Sequence, residues 1–91
     1  MPLVTIPTAF RGTTQGMAQV EVPPGSIKSC LESVGAQAPG FLELCLDADG
    51  KAQRWLKFFV NEVQLDESVD VLGVEIGKDD RLEVLAAVAG G

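Results

Sequence analysis

Residues 77–91 read GKDDRLEVLAAVAGG. Three kinds of segment follow one another in this stretch. Gly77-Lys78-Asp79-Asp80 has the composition of a tight turn, since glycine opens unusual backbone angles and aspartate bonds nearby amides. Arg81–Val88 reads as a strand; with Leu82 and Val84 pointing inward, Leu85 points outward. From Ala86 onward there is no charged side chain, and the chain closes on Gly90 and Gly91. A frayed terminus is the plain reading of any chain end, but frayed ends are usually polar and this one is not. Fully extended, residues 86–91 reach about 20 Å. Glycine lacks Cβ, so Gly90 and Gly91 fit a channel too narrow for any other residue. The reactive group at that end is the α-carboxylate of Gly91. Such a tail can deliver the carboxylate into another protein's active site, where an ATP-using enzyme would have to activate it.

Ahead of this stretch, RWLKFFVN (54–61) alternates as a strand, with Leu56, Phe58 and Val60 on one face and Trp55, Lys57 and Phe59 on the other. VQL (63–65) returns as a short strand after a turn at Asn61 and Glu62. Further back, PPGS (23–26) stops a strand, and Ser26 is placed to cap a helix. Ile27, Cys30, Leu31 and Val34 fall at i, i+3, i+4 and i+7 and form one apolar helix face. Gly35 is the expected end of that helix. FLELCLD (41–47) is dense in leucine, and its length fits a short helix or a strand. At the front, LVTIP (3–7) and MAQVEV (17–22) alternate around the loop FRGTTQG (10–16), which predicts a hairpin. Val4 and Ile6 share one face of the first strand; Ala18, Val20 and Val22 face inward in the second. The order β-β-α-(short element)-β-β-β predicts an α+β domain, a mixed sheet packed on one helix.

The 91 residues make one domain with a thin core. Seven basic against 13 acidic residues give a net charge of −6, with no run of lysine or arginine. Nucleic acid and anionic membrane, which both need a basic footprint, are therefore not expected partners; a basic partner surface is more in keeping. No stretch reaches the roughly 20 apolar residues of a membrane span, and MPLVTIPTAFRG (1–12) lacks the pattern of a secretion signal. The expected compartment is the cytoplasm, with Cys30 and Cys45 reduced.

Histidine and tyrosine are absent, which removes the commonest general base and metal ligand. Cys30 lies in the helix stripe and Cys45 among leucines, the setting of buried, inert thiols. DADGK (47–51) has the spacing that opens a calcium loop, but the later acidic positions are missing, so it reads as a turn. No metal site and no catalytic residue of the chain's own is expected. Trp55, Phe59 and Leu85, on the outward face of the sheet, form a candidate partner surface.

The ending VAGG, the GKDDRLEV before it and the FFVNE strand-turn together resemble the MoaD/ThiS sulfur carriers, small ubiquitin-like proteins. The resemblance covers essentially the whole chain, with PPGSIKSCLESV standing where that family's helix begins. It implies the β-grasp fold, a mixed sheet on one main helix plus a short second helix, with a domain over 1–85 and a Gly-Gly tail over 86–91. It also implies that Gly91 is adenylated and converted to a thiocarboxylate, that Val88, Ala89 and Gly90 thread into the partner, and that Leu85 helps dock it. No cofactor is held permanently; ATP is used by a partner adenylating enzyme of the ubiquitin-activating type. A sulfur-accepting synthase is a second implied partner, and a metalloprotease that trims or deconjugates is a third. The segment DADGKAQRWLKFFVNE is closer to the molybdopterin-synthase small subunit and the cysteine-biosynthesis carriers than to the short thiamine-type carriers. Many members have Pro-Pro or Pro-Ala where this chain has Ala86 and Ala87, which makes a less stiff tail. The same activated carboxylate would also serve a protein modifier joined to lysines through Gly91.

Overall fold

Residues 1–66 and 70–86 are described by the structure, a computed structural model. The first hairpin forms where the alternation placed it: β1 (Leu3–Thr5) pairs antiparallel with β2 (Gln19–Glu21), Val4 against Val20. Val4, Ile6, Val20 and Val22 are buried, but Ala18 is exposed. The difference follows from where pairing stops: Ala18 lies outside β2, its carbonyl accepting from the Ile6 amide, and its small side chain gains little from burial. The loop is more ordered than its composition suggested. Thr8–Phe10 is a turn of 3-10 helix that buries Phe10. Thr14 is buried with its hydroxyl donating to the carbonyls of Arg11 and Met17.

The main helix, α1 (Ile27–Gln37), follows a two-residue strand, β3 (Gly25–Ser26). Ser26 caps α1 as expected, its hydroxyl oxygen accepting from the Ser29 amide at 3.1 Å. Ile27, Cys30, Leu31 and Val34 are all fully buried. Gly35 does not end the helix; the last turn runs on to Gln37 and closes with the Ala38 amide donating to Val34. Pro39 stops it instead, because the residue before a proline is pushed out of the helical region, and Ala38 has left it at φ −135° and ψ 85°. The role of Gly35 is proximity. A Cβ there would lie 3.2 Å from the Cβ of Leu42, so its absence lets the second helix, α2 (Phe41–Cys45), approach. Gly40, at φ 95°, supplies the left-handed turn between the two helices.

The remaining strands are β4 (Leu56–Val60), β5 (Val63–Gln64), β6 (Glu75–Ile76) and β7 (Arg81–Ala86). Asn61 and Glu62 both have positive φ, the two-residue turn that matches the twist of a β4–β5 hairpin. The main sheet has the order β2-β1-β7-β4-β5, mixed because β1 and β7 are parallel and every other pair antiparallel. β3 and β6 form a separate two-stranded ribbon beside α1, which the sequence did not announce; two-residue strands carry no periodicity to read. Val4, Val20, Leu56, Phe58, Leu82 and Val84 of the sheet pack with the α1 stripe, Phe41 and Cys45 in one core. This is the β-grasp arrangement: a mixed sheet folded around one main helix and a short second one.

Candidate functional site

β7 is the central strand, flanked by β1 and β4, so both of its edges are satisfied by backbone pairing. Its register decides which side chains the sheet shows to a partner. Phe58 pairs with Val84 and Val60 with Leu82, while Lys57 pairs with Leu85 and Phe59 with Glu83. Directly paired residues share a face. Leu82 and Val84 are fully buried under the helix, so Leu85, Glu83, Lys57 and Phe59 lie on the opposite face, as the alternation placed Leu85 and Phe59. On that face Leu85 is 41% exposed and Phe59 half-buried. The parallel partner β1 adds Leu3 beside Arg81 and Thr5 beside Glu83.

Trp55 departs from this face. It stands in a turn ahead of β4, and its ring meets Phe10 edge-on, with centroids 5.6 Å apart at 89°. Phe10 in turn meets Phe41 of the core. Strand parity fails for Trp55 because pairing begins only at Leu56, and an indole gains more against an apolar ring than standing free above an open sheet. The structure thus brings Phe59 and Leu85 together on the open face and puts Trp55 at its margin, next to Leu56, the partner of Ala86.

The start of β7 is clasped. The Asn61 side-chain carbonyl accepts from the Arg81 amide at 2.9 Å, its amide group donates to Asp80 at 2.9 Å, and the Asn61 backbone N–H donates to the Arg81 carbonyl at 2.9 Å. The other Asp80 oxygen accepts from the Gly77 amide at 2.7 Å. These bonds to the ionised form hold the Asp80 carboxyl below its ordinary value, the Asn61 bond contributing most. The clasp joins the turns 61–62 and 77–80, which lie nineteen positions apart in sequence between Asn61 and Asp80. The turn composition of each was legible, but nothing in either named the other.

Both thiols are buried and free of disulfide. Burial pushes Cys45 up to about 12, and burial together with the nearby Glu75 carboxylate raises Cys30. A thiol held protonated in this way is a poor nucleophile. Asp47 uses its carboxylate to accept from the amides of Asp49 and Lys51, the bonding of a turn. Among the described residues no cluster of acidic or sulfur side chains has the makings of a metal site, and no helix is long and apolar enough to cross a membrane. Ala86 is the last residue described at the chain's end; the expected threading residues Val88, Ala89 and Gly90, and the expected modified residue Gly91, lie outside the described residues.

No family model and no curated protein matches the chain. Solved structures do. A chain of the Amycolatopsis orientalis BexX/CysO complex is 28% identical with a TM-score of 0.86, each chain covered over 100% of its length. Mycobacterium tuberculosis CysO is 26% identical with a TM-score of 0.83, covering 97% of this chain and 100% of that one. SAMP1 from Haloferax volcanii, at 15% identity and a TM-score of 0.76 over 99% of this chain and 98% of that one, shares the fold. The chain is a β-grasp protein whose structural neighbours are ubiquitin-like carriers of the MoaD/ThiS type, CysO among them.

Proposed function

We propose that the protein is a sulfur carrier that works as the substrate of other enzymes. The observation that carries this reading is the pairing of a CysO-like β-grasp core with a sequence that continues from its central strand into Val88-Ala89-Gly90-Gly91. β7 is held on both edges, so the core serves as a rigid handle and the glycines after it as the delivered end. The buried thiols leave the C-terminal carboxylate as the group for chemistry.

In the proposed reaction a carboxylate oxygen of Gly91 attacks the α-phosphorus of ATP on a partner adenylating enzyme, and pyrophosphate leaves. A donor at the oxidation level of sulfide then attacks the acyl carbon, and AMP departs with the electron pair of the broken C–O bond. The product is a thiocarboxylate, a sulfur nucleophile still tethered to its carrier. The sulfur goes to a biosynthetic acceptor, of the molybdopterin, cysteine or other thiol-metabolite, or thiamine kind. Leu85 and Phe59 make the docking face, and Gly90 with Val88 and Ala89 threads the tail. The CysO chain crystallised with BexX lends support to a carrier that acts through docking.

The test is intact mass after incubation with an adenylating enzyme, ATP and a sulfide donor. The expected product is heavier by the exchange of one oxygen for one sulfur, and Gly91→Ala should abolish it. Gly-Gly remnants on lysines of other proteins, without that exchange, would instead identify a modifier.

A further inference from the structure

The stretches that meet where β7 ends carry a charge opposite to that of the whole molecule. The protein has a net charge of −6, yet residues 6–18 contain a single charged side chain, Arg11. Residues 52–58 contain Arg54 and Lys57 and no acid, and from Val84 onward there is no charged side chain at all. The fold gathers these segments. β1 runs parallel to β7, so the loop after Thr5 emerges at the same end as Ala86, and β4 begins there because Leu56 pairs with Ala86. Arg11 is tied to that place, its Nε donating to the Ile6 carbonyl at 3.2 Å, and the Phe10–Trp55 ring contact joins the neighbours in sequence of Arg11 and Arg54. Glu21, Glu62, Asp79 and Asp80 flank the start of β7 at the other end of the sheet, and Glu83 lies mid-strand beside Thr5 and Phe59. On the arginine side, the Leu46–Ala52 bridge ahead of Arg54 closes the turn 47–51, where Asp47 is engaged with its own amides and Asp49 stands near Lys51. Asp66 follows β5 on the Lys57 side, and both of these residues have partners of their own.

Distance lets the local charge outweigh the net charge. From Arg81 to Ala86 the strand spans about 17 Å at roughly 3.4 Å per residue. Screening at physiological salt sets in at about 8 Å. A surface that meets the Ala86 end therefore responds to Arg11 and Arg54 far more than to the acids at the start of β7.

We propose that this end, with Arg11 and Arg54 around the Phe10–Trp55 ring pair, docks on an acidic rim of carboxylates at the mouth through which the partner enzyme receives the tail. The inference rests on the carrier reading above and names the chemistry of the partner's surface. It reverses what net charge alone implies, a basic partner. The acidic far end would also be turned away by the same rim, so charge would orient the carrier tail-first.

The experiment is steady-state activation of the full chain by its adenylating enzyme, comparing wild type with Arg54→Glu, Arg11→Glu and the control Lys78→Glu. Lys78→Glu makes the same change of net charge at the opposite end of β7. Arg54→Glu and Arg11→Glu are expected to raise KM for the carrier about fivefold each, with kcat unchanged and a gap that narrows as salt rises; Lys78→Glu should leave KM unchanged. Arg54 is exposed, so its variant keeps the test independent of the Arg11–Ile6 bond, and thermal melting checks that both variants fold. Wild-type KM in Arg54→Glu, or an equal rise in Lys78→Glu, overturns the inference while leaving the carrier intact. A wild-type protein that no adenylating enzyme of its source activates overturns the carrier reading, and this inference with it.

Discussion

Asn61 does more than turn a corner. It holds φ at 51°, a region in which asparagine is tolerated better than most residues, and it bonds Arg81 twice and Asp80 once. Asn61→Ala keeps the strained backbone and removes the side-chain bonds. It should lower stability by about 1–2 kcal/mol in urea titration, and Asn61→Gly should recover part of the loss because glycine takes positive φ freely. Asp80 adds a pH dependence with a definite sign. Its folded pKa lies below the ordinary 3.8. Its stabilisation is therefore present above 3.8 and drains away as pH falls through the lowered folded value. Asp80→Asn removes that titration, so its stability should fall less steeply than wild type in denaturation series run downward from pH 4. An equally steep acid limb in Asp80→Asn would show that the clasp does not depend on the charge.

Among the elements, β7 and α1 make the clearest demands. Along β7 the two faces differ so sharply that adjacent substitutions should diverge. Val84 is fully buried, so Val84→Asp puts a charge in the core and should prevent folding, as judged by loss of a cooperative melt. Leu85 is on the open face, so Leu85→Asp should stay within about 1 kcal/mol of wild type while weakening carrier activation. If the two behave alike, the strand register is wrong by one residue. In α1 the constraint is contact with α2. Gly35→Leu gains helix propensity of about 0.8 kcal/mol, but it must displace Leu42, already 3.2 Å from where a Cβ would sit. The expected outcome in denaturant titration is a net loss of about 1–3 kcal/mol. The helix stripe was legible because four apolar residues recur at helical spacing. The end of the helix was not, because Gly35 has both the look of a terminator and the size of a spacer, and only the position of Leu42 distinguishes the two.

Over the whole molecule, the pairing that closes the fold joins its two ends in sequence, β1 to β7, with Val4 beside Leu82. The buried residues of β7 are Leu82 and Val84, and Ala86 packs at the edge of the core. Removal of Gly90 and Gly91 should therefore leave the unfolding free energy within about 0.5 kcal/mol of wild type, while ending thiocarboxylate formation completely. Truncation after Arg81 should leave no cooperative unfolding transition, because β1 and β4 then lose the strand between them. A chain without the last two glycines that still gains sulfur would remove Gly91 from its proposed role.

Local residue patterns dictate the α1 stripe and its cap, the two hairpins, the inward and outward sets of β4 and β7, and the burial of both thiols. Each of these follows from periodicity or turn chemistry within about twenty residues, where local sterics and side-chain spacing leave little choice. Tertiary structure alone decided four other things: the parallel seat of β7 beside β1, the β3–β6 ribbon, the Asn61–Asp80 clasp, and the turning of Trp55 onto Phe10. It also decided that an acidic chain presents arginines where its last strand ends. These depend on segments tens of residues apart, which meet only when the core condenses. Burial of apolar area is non-directional, so a single sequence window cannot say which distant partner will cover it.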